Sequence, residues 1–201
     1  MISAVILAAG ESRRMGIQNK LLLRLGGEAL LIKLVKAVCA SDVTQILVVI
    51  GHEANQIRME LNDLPLSFVY NSNFREGMTT SIKLGIKASS QNSDGFLICL
   101  ADMPYINTSE INMLIHAFDQ NHIKGEKLIV IPVFRGKRGN PILFSSEFRN
   151  DILGHKKESG CKEVIKHNSE SVMEISMDND NILLDVDNQE DFQRATKYFV
   201  N

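Results

Sequence analysis

Short apolar runs of strand length alternate along this chain with segments of helical period, and that alternation restricts the fold more than any other feature. Ala4 to Ala9, Gln45 to Gly51, Leu66 to Tyr70, Phe96 to Ala101 and Leu128 to Phe134 read as strands. Several are apolar at nearly every position, which suits strands covered on both faces. Between them, Ala29 to Ala40, Glu53 to Leu61, Thr79 to Ser89 and Thr108 to Asn121 place apolar residues three and four apart, as at Ile111, Leu114, Ile115 and Phe118. The pattern predicts an α/β fold: a mostly parallel sheet with helices on both faces. Asn188 to Phe199 reads as a last helix, with Glu190 and Asp191 placed to favour its N-terminal dipole. No internal repeat, low-complexity tract or long linker divides the 201 residues, so one domain over 1–201 is expected.

Composition narrows the class of partner. The chain is 44% hydrophobic and 23% charged, ordinary for a globular protein, with a formal net charge of −2. That charge supplies no global basic field, which argues against nucleic acid or an anionic membrane and for a small-molecule ligand. No apolar stretch approaches the roughly 18 residues that cross a bilayer, and Met1-Ile2 opens on strand-like sequence instead of a basic targeting segment, so a cytoplasmic location is expected. Cys39, Cys99 and Cys161 are odd in number and lack CxxC spacing, pointing to free thiols. His116 and His122 lie off the i,i+4 spacing, and His52, His155 and His167 have no obvious partners, so surface or packing roles are expected for all five histidines.

In open α/β sheets, ligands bind beyond the carboxyl ends of the strands, where strand order reverses. Leu7 to Gly16, reading LAAGESRRMG, follows the first strand and so falls in that position. Backbone amides beside small residues can surround a phosphate chain closely, while Arg13 and Arg14 add fixed positive charge and Lys20 follows within reach. Five residues separate Gly10 from Gly16 and Ile17 comes next, so the run is not a GxxxxGK[ST] loop, nor is it the GxGxxG dinucleotide fingerprint. An ordinary strand-to-helix turn with solvated arginines is the competing reading.

A second segment, Phe96 to Pro104 (FLICLADMP), ends a buried strand in Asp102. Alone, such an aspartate reads equally well as a turn or cap residue. Ile182 to Asp187 (ILLDVD) adds Asp185 and Asp187, which project from one face if the segment is an extended strand. A solvated strand end ahead of the last helix is the alternative. Mg²⁺ binds through one or two carboxylates plus phosphate oxygens and water, so Asp102 with one of the pair would suffice. These elements together propose a nucleoside triphosphate held in the glycine loop, its charge neutralised by Arg13, Lys20 and a metal on Asp102. No Ser-His-Asp or Cys-His arrangement is evident, and none is needed if the attacking group is an anionic phosphate on a second substrate. Attack at the α-phosphate is nucleotidyl transfer, with pyrophosphate leaving.

Five ordered blocks carry a family likeness: LAAGESRRMG with NKLLL (Asn19 to Leu23), GMTTSI (Gly77 to Ile82), LADMP (Leu100 to Pro104), GKRGNPILF (Gly136 to Phe144) and DVDNQEDF (Asp185 to Phe192). The chain resembles the nucleotidyltransferases that include the molybdenum cofactor cytidylyltransferase and its guanylyltransferase relative. The resemblance implies a three-layer, Rossmann-like fold of the nucleotide-diphospho-sugar transferase type. It implies nucleotide binding by Leu7, Ala8, Ala9, Gly10, Ser12, Arg13, Lys20, Gly77, Met78, Ser81 and Asp102, with Arg13, Lys20 and Asp102 as catalytic residues. Asp102 and Asp187 match its Mg²⁺ positions, with Asp185 as a third match. Lys137, Arg138, Gly139, Asn140 and Pro141 match its acceptor-binding block, although a hairpin loop with two solvated basic residues accounts for that composition equally well. Guanylyl-transferring relatives typically carry Ala-Gly-Gly where this chain has Ala8-Ala9-Gly10. The Ala9 methyl would narrow the space beside the base and favour CTP, by about 1 to 3 kcal/mol. The family's Gly-Asp-x-Gly-Ala-Arg segment is here GHKKESGCK, with His155 for the acid, and its closing DTPED is DNQED. Three readings follow: CMP transfer to molybdopterin-type molybdenum cofactor, with a molybdenum hydroxylase as recipient; the same chemistry on a sugar phosphate or other alcohol phosphate; or a non-catalytic cofactor chaperone for a molybdenum hydroxylase.

Overall fold

The computed structural model describes residues 1–12, 19–155 and 160–200; Arg13, Arg14 and part of the GHKKESGCK segment lie outside the described residues. In chain order the elements are β1 (Ile2–Ala8), β2 (Arg24–Leu25), β3 (Glu28–Ala29), α1 (Leu30–Cys39), β4 (Gln45–Ile50), α2 (Ala54–Glu60), β5 (Ser67–Tyr70), α3 (Met78–Ala88), β6 (Gly95–Leu100), α4 (Thr108–Asn121), β7 (Ile129–Phe134), β8 (Lys137–Arg138), β9 (Ile142–Ser145), α5 (Arg149–Gly154), α6 (Lys162–His167), β10 (Val172–Ser176) and α7 (Gln189–Val200).

The central sheet runs β10-β7-β9-β6-β1-β4-β5, with β8 hydrogen-bonded to β7. β1 pairs in parallel with both β4 and β6, β4 with β5, and β10 with β7, while β9 enters antiparallel between β6 and β7. The chain builds outward from β1 through β4 to β5, then returns to place β6 on the other side of β1. The strand order therefore reverses between β1 and β6, where an open sheet leaves its binding crevice. The register brings Leu7 opposite Leu100, so the segments that follow both strands leave the sheet at the same level.

Strand periodicity sorts the core. Ala4, Ile6 and Ala8 of β1 pack into one apolar cluster with α1 and α4, whereas Val5 faces the opposite one with Ile82 and Ile86 of α3, Ile152 of α5 and Val164 of α6. Burial on both faces is why β1 and β4 are apolar at almost every position. α3 lies so close to the sheet that a Cβ on Gly85 would sit 2.2 Å from Cγ1 of Val5, so only glycine fits there. α4 starts where expected because Asn107 and Glu110 form a reciprocal capping box ahead of its apolar stripe.

Strands β9 and β10 and helices α5 and α6 were not anticipated from the sequence. Ile182 to Asp187 also differs from the extended reading: Asn181–Leu183 is a 3₁₀ turn and the following residues belong to no strand. The main chain here bonds to two separate segments, with Asn140 N–H donating to the Ile182 carbonyl (3.0 Å) and Val186 N–H to the Asp102 carbonyl (2.9 Å), in place of a ladder to one neighbour. No helix among the described residues is long and apolar enough to cross a membrane.

Candidate active site

The segments that follow β1 and β6 at the switch point, together with the residues ahead of α7, carry most of the polar groups of the site. After β1 the backbone turns at Ser12, which has a left-handed φ of 53°. The Ser12 hydroxyl donates to Asn19 Oδ1 (3.2 Å) and accepts from the Lys20 main-chain N–H (3.2 Å). Asn19 Oδ1 also accepts from Leu21 N–H (3.1 Å), capping the 3₁₀ turn Lys20–Leu22. Ser12 and Asn19 thus clasp the two sides of the first loop at its base and set the direction in which Lys20 leaves the backbone.

Lys20 Nζ donates to Asp102 Oδ2 and to Asp187 Oδ1, both at 2.7 Å. Its side chain is only 13% exposed. Burial opposes the ammonium charge, but Asp102 and Asp187 outweigh it and raise the Lys20 pKa above the ordinary lysine value. Asp102 directly follows the turn out of β6, and its carbonyl accepts from Val186 N–H, which pins the 185–187 segment beside it. Val186 itself is fully buried, so alternate residues Asp185 and Asp187 are turned back toward Asp102. Asp191 Oδ2 accepts from the N–H groups of Asp187 and Asn188 (both 3.1 Å), while Asn188 Oδ1 caps α7 through Glu190 and Asp191. Asn188, one of the departures from the family pattern, therefore still makes a helix cap.

Carboxylate oxygens of Asp102, Asp185 and Asp187 all lie within 4.8 Å of one another. Partial desolvation raises the Asp185 pKa first, and the negative neighbours Asp187 and Asp102 raise it further. Asp102 Oδ1 is buried with no hydrogen-bond partner among the described residues. An unpaired buried oxygen at the point where three carboxylates converge fits a hard divalent cation, which takes oxygen donors. The two oxygens that face Lys20, Asp102 Oδ2 and Asp187 Oδ1, already hold one positive charge at this corner.

These groups edge a cleft of about 460 Å³ lined by Leu7, Ala9, Gly10, Ser12, Lys20, Gly77, Met78, Ser81, Asp102 and Asp187 among others. Most of the nucleotide-binding residues named from sequence thus share one cavity. Ala8 is fully buried in the core and does not line it. Gly10 has open space where a Cβ would stand, so the backbone there is accessible from the cleft. Gly77 starts α3 at a φ of 104°, a left-handed value that favours glycine. Arg75 and Glu11 also line the cleft and pair with each other at 3.2 Å; neither was singled out from sequence.

Asn71 was missed as well. It follows β5 at the same sheet edge, is fully buried, and its amide donates to the Thr80 and Ser81 hydroxyls. The strand-end rule that exposed Asp102 applies to it equally, but a neutral side chain carries no charge to attract notice.

The acceptor block divides. Arg138, Gly139 and Asn140 line a second cavity of about 490 Å³, which shares Met78 and Leu100 with the first and takes Asp185 into its wall. Lys137 and Pro141 are not among its lining residues. Arg138 Nε donates to Glu174 Oε1 (2.7 Å), with both side chains about half exposed, so its charge is already partnered. Gly139 approaches the 182 segment so closely that a Cβ would fall 2.3 Å from the Ile182 carbonyl oxygen. Cys161 lines this cavity too, but burial pushes its thiol up to about 12, leaving it protonated and unreactive at neutral pH.

The arrangement brings Lys20 and three carboxylates to one end of a cleft, with a second cavity adjoining it. Comparison with known proteins agrees with it. The family model described as MobA-like NTP transferase domain matches residues 4–172. Purine catabolism protein PucB of Bacillus subtilis is 30% identical over 81% of this chain and 79% of its own length. A probable molybdenum cofactor guanylyltransferase of Natranaerobius thermophilus is 30% identical over 67% of this chain and 62% of its own. The chain also matches bifunctional protein GlmU of Coxiella burnetii at 32% identity, spanning only 33% of that longer protein. The crystal structure of Rv0371c from Mycobacterium tuberculosis, in complex with manganese, superposes with a TM-score of 0.82 at 19% identity and covers 98% of both chains. This chain belongs to the MobA-like NTP transferase family and is a nucleotidyltransferase.

Proposed function

We propose that the enzyme transfers CMP from CTP to molybdopterin-type molybdenum cofactor, releasing pyrophosphate, for use by a molybdenum hydroxylase. The observation that carries this reading is the meeting of Lys20, Asp102 and Asp187 at one end of a cleft bounded by the β1 loop. The triphosphate lies along Ala9, Gly10 and Ser12, where backbone N–H groups and Lys20 face its oxygens. Asp102 and Asp187 would hold Mg²⁺, with Asp185 beside them. When bound, the metal neutralises charge on the α-phosphate and on the leaving pyrophosphate. Lys20 exchanges its carboxylate partners for phosphate oxygens and stabilises the extra charge of the transition state. A terminal phosphate of the acceptor, lodged in the adjoining cavity near Arg138 and Asn140, attacks the α-phosphorus. The new P–O bond forms as the bond to the β-phosphate breaks, and the electron pair leaves on pyrophosphate. No side-chain base is required because the attacking oxygen is already anionic.

The base assignment rests on Ala9 and Ser81, which line the same cleft. Support for the acceptor comes from the relative named for guanylyl transfer to molybdenum cofactor. Purified protein incubated with Mg²⁺, a panel of triphosphates and either molybdenum cofactor or sugar phosphates tests both choices. Pyrophosphate release should be fastest with CTP and the molybdenum cofactor. Preference for GTP overturns the base assignment, and preference for a sugar phosphate overturns the acceptor.

A further inference from the structure

We infer that Asn71 is a positioning residue for base recognition, its buried amide fixing the Ser81 hydroxyl as a hydrogen-bond donor toward the base. The inference rests on the reading above, in which the nucleotide occupies the cleft that Ser81 lines.

Asn71 is the first residue beyond β5, and its own N–H continues the sheet by donating to the Ile50 carbonyl at 2.8 Å. Its side chain is fully buried. The orientation of the amide follows from its neighbours. Asn71 Oδ1 lies 2.9 Å from Asn73 N, a main-chain group that can only donate, so that end of the side chain must be the carbonyl. The NH₂ end therefore faces α3, where it lies 2.9 Å from both Thr80 Oγ1 and Ser81 Oγ. Its two hydrogens serve one hydroxyl each, and both hydroxyls become acceptors at this contact.

The two hydroxyls then part ways. Thr80 has main-chain acceptors for its own proton, the Gly77 carbonyl at 2.9 Å and the Asn73 carbonyl at 3.2 Å. Ser81 has no such acceptor among the described residues, and it lines the cleft. A lone serine hydroxyl can either donate or accept. With a lone pair already engaged by Asn71, Ser81 turns its proton to the cavity. The wall therefore suits a base edge that presents a carbonyl oxygen or an unprotonated ring nitrogen, and is mismatched to an N–H at that point. Leaving a donor without an acceptor in a closed site carries the larger penalty, so the polarity works as a selection.

An Asn71→Asp variant reverses the polarity with almost no change of shape. A carboxylate only accepts, so both hydroxyls would turn their protons inward and Ser81 would show lone pairs to the base. Steady-state kinetics with CTP are compared for wild type, Asn71→Asp, Ser81→Ala and the double variant. Asn71→Asp is expected to raise the KM for CTP about tenfold, the scale of one mispaired hydrogen bond, with kcat within about twofold of wild type. Ser81→Ala should raise KM by a similar factor, and the double variant should be no worse than Ser81→Ala alone. Effects that multiply in the double variant overturn the inference, because Asn71 then acts independently of Ser81.

If Asn71→Asp fails to fold, as judged by circular dichroism and melting, a second comparison decides. Wild type and Ser81→Ala are titrated with CTP analogues that each lack one acceptor atom of the base. Wild type should lose about tenfold in affinity for one analogue, with Ser81→Ala indifferent to the same deletion; equal discrimination by both proteins overturns the inference. Wild-type turnover of CTP separates the two levels. Its absence removes the nucleotide reading and this inference together, whereas intact turnover with multiplying effects removes the role of Asn71 alone.

Discussion

Replacing Lys20 by methionine tests the electrostatics of the cleft without changing its shape much. Lys20 Nζ touches two of three carboxylates whose oxygens lie within 4.8 Å of one another. At an effective dielectric constant near 20, two unit charges that far apart repel by about 3.5 kcal/mol, and the ammonium is what offsets this. Breaking a fully buried pair costs about 3 to 5 kcal/mol. Lys20 is 13% exposed but Asp187 is 34% exposed, so solvent screens part of the loss. A destabilisation of about 2 to 3 kcal/mol is expected at pH 7, which for a chain of this size lowers Tm by roughly 4 to 12 °C.

The pH dependence gives the test its sign. In the wild type the Lys20 pKa is raised above 10.5, so its contribution is complete below the unfolded-state value and fades only as pH climbs through the folded one. At neutral pH it is fully present. In the variant, the remaining carboxylates face each other without a cation. The raised pKa of Asp185 already means stability that is present below its unfolded value and lost as pH rises through the folded one. Lowering the pH from 7 toward 5 should therefore shrink the Tm gap between variant and wild type. Calorimetry reads the gap directly, and kcat in the same preparations should fall about 10²- to 10³-fold. A variant that melts within a degree of wild type at both pH values would refute the claim that Lys20 neutralises this cluster.

Other variants probe separate parts of the site. Asp102→Ala should abolish nearly all turnover, measured as pyrophosphate release, while melting within about 1 kcal/mol of wild type because Lys20 keeps Asp187 and a repulsive neighbour is gone. Ala9→Gly should shift the ratio of CTP to GTP turnover toward GTP by up to about tenfold, and an unchanged ratio would place base selection elsewhere. Gly139→Ala would drive a Cβ into the Ile182 carbonyl, so it should displace the 185–187 segment and lower both Tm and affinity for Mn²⁺ read by electron paramagnetic resonance. Asn19→Ala should raise the KM for CTP more than it lowers kcat, because it loosens the clasp under the first loop; equal losses in both would point to a different role.

Physical reasons separate what could be read in the sequence from what could not. β1, β4 and β6 announce themselves because burial on both faces leaves few polar residues to interrupt them. β9 offers only Ile142 to Phe144 as an apolar run, and β10 is half exposed, so neither stands out from a loop. Asp102 is legible because an acid at the end of a buried strand is unusual and falls on the side where ligands bind. Its meeting with Asp187 follows from one main-chain bond, Val186 to Asp102, between distant segments, which no local pattern encodes. Ile182 to Asp187 would turn its two aspartates to one face if it were an extended strand, yet it opens on a 3₁₀ turn, buries Ile182 and Val186, and bonds to two separate segments. Asn19 and Asn71 act through neutral hydrogen bonds whose geometry exists only after folding, and Arg13 lies outside the described residues.

The central claim is that Asp102 and Asp187 hold a metal while Lys20 moves to the phosphates. A crystal structure of the protein with Mg²⁺ and a non-hydrolysable CTP analogue measures this directly. The ion should be bound to both carboxylates, with Lys20 Nζ withdrawn from them and within hydrogen-bonding distance of a phosphate oxygen. A triphosphate bound away from the β1 loop, or a metal ligated without Asp102, would contradict the account.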